Sequence, residues 1–259
     1  MRILVTNDDG VFAPGLLALA RAMRSLGEVW VIAPDHNWSA SGHVKTLHRP
    51  LRVREVELAD GTTAYSSDGA PSDCVALGLM GLLPGEVDLV VSGINPNSNL
   101  GHDVTYSGTV TAAMEAAISG KPAIAFSLES PEDLSEPIDF SAAERVAEQV
   151  AAEIIRHDLP PGFLANVNIP CLPLEQIKGI KITRQGLRIY HDKLVRRLDP
   201  RGVPYYWIGG GVPTGVPEEG TDIGAVNSGY VSITPLKLDL TAHDQIDLLK
   251  GWKWQDITP

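Results

Sequence analysis

The chain reads as a doubly wound α/β domain on a mostly parallel sheet, with helices on both faces. Three observations carry this reading. Short all-apolar runs alternate with helical runs over the first half of the sequence, and strands of that kind are buried on both faces. The helical runs are punctuated as helices should be: Pro14 and Pro71 stand in first turns, and Gly27 lies just past an end. The long polar loops follow strands, and in doubly wound sheets ligands bind beyond the carboxyl ends of the strands.

The elements follow in order. Ile3-Leu4-Val5-Thr6 is the opening strand. Pro14 begins a helix whose apolar residues (Leu16, Leu17, Leu19, Ala20, Met23, Leu26) keep helical spacing until Gly27. Val29-Trp30-Val31-Ile32-Ala33 is the second strand, and a polar loop covers 34–42. Residues 44–58 show β-type alternation, read as an excursion from the main sheet. Pro71-Ser72-Asp73 opens a helix to about Leu83, and Val87-Asp88-Leu89-Val90-Val91 is a strand. A Gly/Asn/Ser loop runs to Gly108, a helix covers 109–119, and Ala123-Ile124-Ala125-Phe126 is the next strand. A helix over 141–157 takes Ser141 as its N-cap with Glu144 three residues on. Residues 164–170 form another strand. Residues 180–208 alternate around the turn Asp199-Pro200-Arg201-Gly202, which predicts a projecting hairpin. A Gly/Pro loop at 209–220, a strand at 230–234 and a short helix near 245–250 complete the chain. The architecture expected is three-layered and Rossmann-like, with a projecting β-hairpin and a C-terminal arm.

Composition narrows the function classes. A chain of 259 residues with 44% hydrophobic and 20% charged residues is ordinary for a globular domain that buries its own core. The formal net charge of −11 argues against binding a nucleic-acid polymer or an anionic membrane. A small phosphate ester is compatible with it, because a cation and backbone dipoles can reverse the field inside a cleft. Cys74 and Cys171 fit no zinc spacing, and Cys74 in its apolar run reads as a buried, inert thiol. No signal-like segment opens the sequence, and no apolar run approaches the ~20 residues of a membrane span, so the expected location is cytoplasmic.

Three strand-following loops hold the chemistry: Asn7-Asp8-Asp9-Gly10, the stretch from Pro34 to Gly42, and the stretch from Ser92 to Thr109. Two adjacent carboxylates past a strand end are hard to explain by packing, since buried charges need a partner or a cation. Asp8 and Asp9 offer charged oxygens, and Ser39 and Asn95 neutral ones. An all-oxygen donor set suits magnesium, manganese or calcium rather than zinc or copper. Ser107-Gly108-Thr109 opens a helix, where free N–H groups and hydroxyls make an anion site, most simply for phosphate. It is not a P-loop, because the motif and its lysine are absent. Each residue also has a plainer reading. An aspartate can cap a turn, Asn95-Pro96 can form one, and Ser107 and Thr109 can cap a helix. His36, His43 and His102 read as surface or hydrogen-bonding residues, Asp103 as a loop brace, and Trp38 as either a packing residue or a base-stacking one.

These residues resemble the survival-protein E (SurE) family of metal-dependent nucleotidases. The matching segments are residues 3–10, 33–39, 92–95 and 106–110, with Asn99, Gly101 and Asp103. Residues 166–170, 183–186, 220–222 and 229–235 also fit, so the match spans nearly the whole chain in order. The resemblance implies a single domain over 1–259, with an oligomerisation hairpin at about 184–215 and a C-terminal arm at about 235–259. It implies a phosphatase for nucleoside 5′- and 3′-monophosphates, with short polyphosphate as a further substrate. It implies one divalent cation per subunit, Mg²⁺ or Mn²⁺ with Ca²⁺ admissible, on Asp8, Asp9, Ser39 and Asn95. It also implies a homodimer or homotetramer joined through hairpin and arm. The chain departs from the family at Asn97, where glycine is frequent; asparagine tolerates left-handed backbone, so the loop should keep its form.

The expected catalytic residues are Asp8, which orients or deprotonates the attacking water, and Asn95. Asn95, Ser107, Gly108 and Thr109 hold the phosphate, and Asp9 anchors the ion. Two rivals remain at this level. Asp8 could be a covalent nucleophile, although its carboxylate neighbour is adjacent rather than one residue away. The chain could instead be a nucleotide sensor without turnover.

Overall fold

The computed structural model describes residues 1–129 and 137–254. The strands of the first half are β1 (Arg2–Thr6), β2 (Glu28–Pro34), β3 (Val53–Glu57), β4 (Thr63–Ser67), β5 (Leu89–Asn95) and β6 (Ala123–Leu128). β7 (Leu164–Ile169), β8 (Ile180–Ile182), β9 (Arg188–Leu198), β10 (Pro204–Gly215) and β11 (Val231–Pro235) follow. The helices are α1 (Pro14–Arg24), α2 (Pro71–Leu77), α3 (Gly108–Ile118), α4 (Ser141–Ile154), α5 (Asp222–Asn227) and α6 (His243–Lys250). Nine strands form one sheet in the order β3-β4-β2-β1-β5-β6-β7-β11-β8. All neighbours are parallel except β3 with β4 and β11 with β7.

The pleat explains the continuous apolar runs. Ile3 and Val5 join one hydrophobic cluster and Leu4 the other. Leu89 and Val91 separate from Val90 in the same way, as do Ile124 and Phe126 from Ala125. The first cluster is closed by α1 and α4, the second by α2 and α3. A strand covered on both faces needs no polar alternation. Cys74 lies in the second cluster, and burial pushes its thiol pKa up, as expected of an inert core cysteine.

The structure alters several sequence expectations. β4 was not expected: Thr63-Ala64-Tyr65-Ser66-Ser67 is polar and short, yet it pairs parallel with β2 and antiparallel with β3. Ser92 to Asn95 is strand rather than loop, so Asn95 stands on the sheet's rim. α2 passes into a π-helical turn over Gly78–Leu82, in which Gly81 takes φ +104°. Ser141 is not the cap of α4 but its first residue; the Asp139 carboxylate accepts its N–H at 2.8 Å and its hydroxyl at 2.9 Å. The Gly209 to Gly215 stretch is not a loop but the second half of β10. Its glycines pair across the ladder, Gly209 with Lys193 and Gly211 with His191.

β9 and β10 form the expected hairpin as a separate two-stranded sheet. Asp199 closes its turn by accepting the N–H groups of Arg201 and Val203, both at 2.8 Å. α6 buries none of its residues on this chain. Residues 255–259 of the arm lie outside the described residues. Among the described residues no helix is long and apolar enough to cross a membrane.

Candidate metal and phosphate site

The strand order sets the place. β1 lies between β2 on one side and β5 on the other, so the chain reverses direction across the sheet there. A crevice opens at such a switch point, beyond the carboxyl ends of the strands. The loops after β1, β2 and β5 all open at this edge.

The first loop is locked by its own asparagine. Asn7 Nδ2 donates to the Gly10 carbonyl at 3.0 Å, and Gly10 N–H donates to Asn7 Oδ1 at 3.2 Å. Gly10 has φ +108°, which a side chain would strain. This turn presents Asp8 and Asp9. Asp8 is 4% exposed, and Asp9 is partly buried. Trp38 N–H donates to the Asp8 carbonyl at 2.8 Å, which ties the β2 loop to the β1 loop. Asn37 Nδ2 lies 3.4 Å from Asp9 Oδ1, and Asn37 Oδ1 accepts the Ser39 N–H at 2.6 Å. Ser39, an exposed residue, is thereby tied through Asn37 to the Asp9 carboxylate.

α3 carries the residues expected to bind an anion. Ser107 is its N-cap and accepts Val110 N–H at 3.1 Å. A Cβ built on Gly108 would stand 2.6 Å from Asp8 Cβ, so only glycine lets the helix approach this far. The Thr109 hydroxyl donates to Asp8 Oδ1. Against the larger effect of burial, which raises the Asp8 pKa, the backbone of Thr109 and Gly108 lowers it. Sequence reasoning aimed this helix start at a phosphate; here the donors meet the Asp8 carboxylate as well. Asn95 is 9% exposed at the end of β5, and its Nδ2 donates to the Asn97 carbonyl. Asn97 does not take a positive φ, so the departure from glycine needs no left-handed backbone.

The electrostatics fit a cation. Burial raises the pKa of Asp8. Burial, and then the charge of Asp8, push Asp9 up to about 7. Two adjacent, desolvated carboxylates repel, and a divalent ion relieves both the desolvation and the repulsion. Among the described residues no three His, Cys, Asp or Glu side chains gather to hold an ion. Two carboxylates with neutral oxygens nearby would suit a hard ion that keeps water ligands.

The long loop after β5 is braced from below. The Asn99 carbonyl accepts Asn166 Nδ2 at 2.8 Å and Asn168 Nδ2 at 3.1 Å. Asn99 N–H donates to Asn168 Oδ1 at 2.7 Å, and its side chain donates to Ser127 at 2.8 Å. Asp103 accepts Tyr190 OH at 2.7 Å and pairs with Arg188 at 2.9 Å, so it does brace the loop. Asp222, fully buried, accepts the N–H groups of Gly101, Gly186 and Ile223. Sequence reasoning gave Asn166, Asn168 and Asp222 no role. Two asparagines inside an apolar strand were the signal.

A family model described as "Survival protein SurE" matches residues 3–192. The chain belongs to the SurE family. Among curated SurE proteins, the "5'-nucleotidase SurE" of Chloroflexus aggregans is 51% identical over 98% of this chain and 100% of its own length. The "5'-nucleotidase SurE 1" of Thermus thermophilus is 52% identical over 97% of each chain. A SurE crystal structure from Aquifex aeolicus superposes with a TM-score of 0.81 at 44% identity, covering 96% of this chain and 98% of that one.

Proposed function

We propose that this chain is a divalent-metal-dependent nucleotidase that hydrolyses nucleoside 5′- and 3′-monophosphates to nucleoside and phosphate, with short polyphosphate as a further substrate. Relatives named 5′-nucleotidase match it end to end at about half identity, and on that ground it is a phosphoric monoester hydrolase. The observation that carries the metal reading is the Asp8–Asp9 pair, desolvated at a strand end with a helix N-terminus packed against it.

Asp8, Asp9, Ser39 and Asn95 are the residues that would hold one ion per subunit, Mg²⁺ or Mn²⁺ with Ca²⁺ admissible. When bound, the ion supplies charge neutralisation at the phosphoryl group and makes a nearby water more acidic. The chain's own groups do the rest. Asn95, the Ser107 hydroxyl and the N–H groups of Gly108 and Thr109 hold the phosphoryl oxygens. The Thr109 hydroxyl fixes the rotamer of Asp8. Asp8 then orients the attacking water and takes its proton, while Asp9 stays with the ion. Asn7 and Gly10 keep the pair aimed into the crevice. The same proposal makes the enzyme cytoplasmic and a homodimer or homotetramer joined through the hairpin and the C-terminal arm.

Phosphate release from a panel of nucleoside monophosphates tests the activity. Chelator should abolish release and Mn²⁺ or Mg²⁺ restore it, and Asp8→Asn should lose roughly 10²–10⁴-fold in kcat. Tight binding of AMP with no release in any metal would make the chain a sensor instead.

A further inference from the structure

α3 carries one charged residue in a sequence otherwise of small, apolar and hydroxyl side chains. That residue, Glu115, has a side chain only 6% exposed. Both of its oxygens are committed to the loop after β2. Lys45 Nζ donates to Oε1 at 2.6 Å, and His43 Nε2 lies 3.1 Å from Oε2. One turn earlier the Thr111 hydroxyl lies 3.0 Å from the Gly42 carbonyl and 2.9 Å from the Ser107 carbonyl, sharing its proton between them. Gly42 N–H donates to the Tyr106 carbonyl at 2.9 Å. Thr46 N–H donates to Asp73 on α2 at 2.9 Å.

Gly108, Thr111 and Glu115 recur at helical spacing and share one stripe of α3. The top of the stripe meets Asp8, and the lower part grips residues 42–45. Between the grip and Ser39 stands Ala40, at φ +57°. Alanine seldom adopts this conformation, and it persists only where the surroundings hold it. The Ser41 N–H donates to the Trp38 carbonyl at 3.1 Å across it, and the fastening at 42–46 anchors the chain just beyond. A salt-bridged carboxylate buried under a loop is a costly way to secure a surface segment unless the position of that segment matters.

We propose that Glu115 is a positioning residue for Ser39. Through Lys45 and His43 it fixes the loop on the same helix that sets Asp8, so both sides of the metal site share one frame. The inference rests on the reading of Ser39 as a metal ligand.

The test is the Mn²⁺ dependence of AMP hydrolysis in Glu115→Gln and in the double variant His43→Gln/Lys45→Met, whose altered residues lie on a partly exposed loop. Each should raise the half-activating Mn²⁺ concentration about tenfold. At saturating Mn²⁺, kcat should stay within about twofold of wild type. Combining all three changes should add little more, since they act on one contact. Glu153→Gln, an exposed carboxylate on α4, should leave the midpoint unchanged. A role confined to stability would lower the melting temperature and leave the midpoint in place. An unchanged midpoint in both loop and helix variants overturns the proposal. If wild-type turnover ignores Mn²⁺, the metal reading fails instead, and amide exchange over residues 39–45 decides the fastening. Exchange about tenfold faster in Glu115→Gln supports it, and unchanged exchange overturns it.

Discussion

Gly108 shows how closely the site is assembled. Its missing Cβ would sit 2.6 Å from Asp8 Cβ and 2.8 Å from Asp8 Oδ2. Gly108→Ala should therefore displace Asp8 and lower kcat roughly a hundredfold, the usual cost of a catalytic group moved by about 1 Å. Stability should fall too, by about 1–3 kcal/mol, because the added Cβ overpacks the contact between the helix start and Asp8. Phosphate release and a thermal melt, run on the same preparation, separate these effects. At this scale the carboxylate pair was legible, because adjacent aspartates after an apolar strand have few packing explanations. Glu115 was not singled out, although a lone charge within Ala112-Ala113-Met114-Glu115-Ala116-Ala117 is the same kind of signal. Its partners, His43 and Lys45, are remote in sequence, and nothing local pairs them with it.

Helices and doubly buried strands were legible as elements because their residues repeat a pattern. α1, α3 and the apolar parts of β1, β2, β5 and β6 fall where hydrophobic spacing puts them. Elements held by polar side chains were hidden. β4 is a polar edge-side strand, and the glycines of β10 read as loop until a partner strand is known. The fastening of the hairpin base is also polar. Asp222 collects three N–H groups from the β5 loop, the segment before β9 and its own helix. Asp222→Ala would leave these donors buried and unpaired. It should cost about 3 kcal/mol or more, read as a lower urea midpoint at constant slope. Loss of less than about 0.5 kcal/mol would show that water or a neighbour replaces the carboxylate.

At the scale of the molecule, much apolar surface stands away from the core. Trp207 and Ile208 on the hairpin are 63% and 79% exposed, and Leu240 ahead of α6 is 93% exposed. These exposed apolar side chains on the hairpin and ahead of α6 are the ones that the proposed assembly through hairpin and arm would cover. Light scattering during gel filtration should give a dimer or tetramer, and deletion of residues 189–214 should reduce its order. A wild-type monomer at micromolar concentration would refute the assembly.

The carboxylate pair as a cation site is open to one direct measurement. Calorimetric titration of the chelator-treated protein with Mn²⁺ should give one site per subunit. Asp9→Asn, which removes the anchoring charge and keeps the shape, should weaken that site by about a hundredfold or abolish it. Wild-type protein that takes up no Mn²⁺, or an Asp9→Asn isotherm superimposable on it, would contradict a metal centre at Asp8 and Asp9.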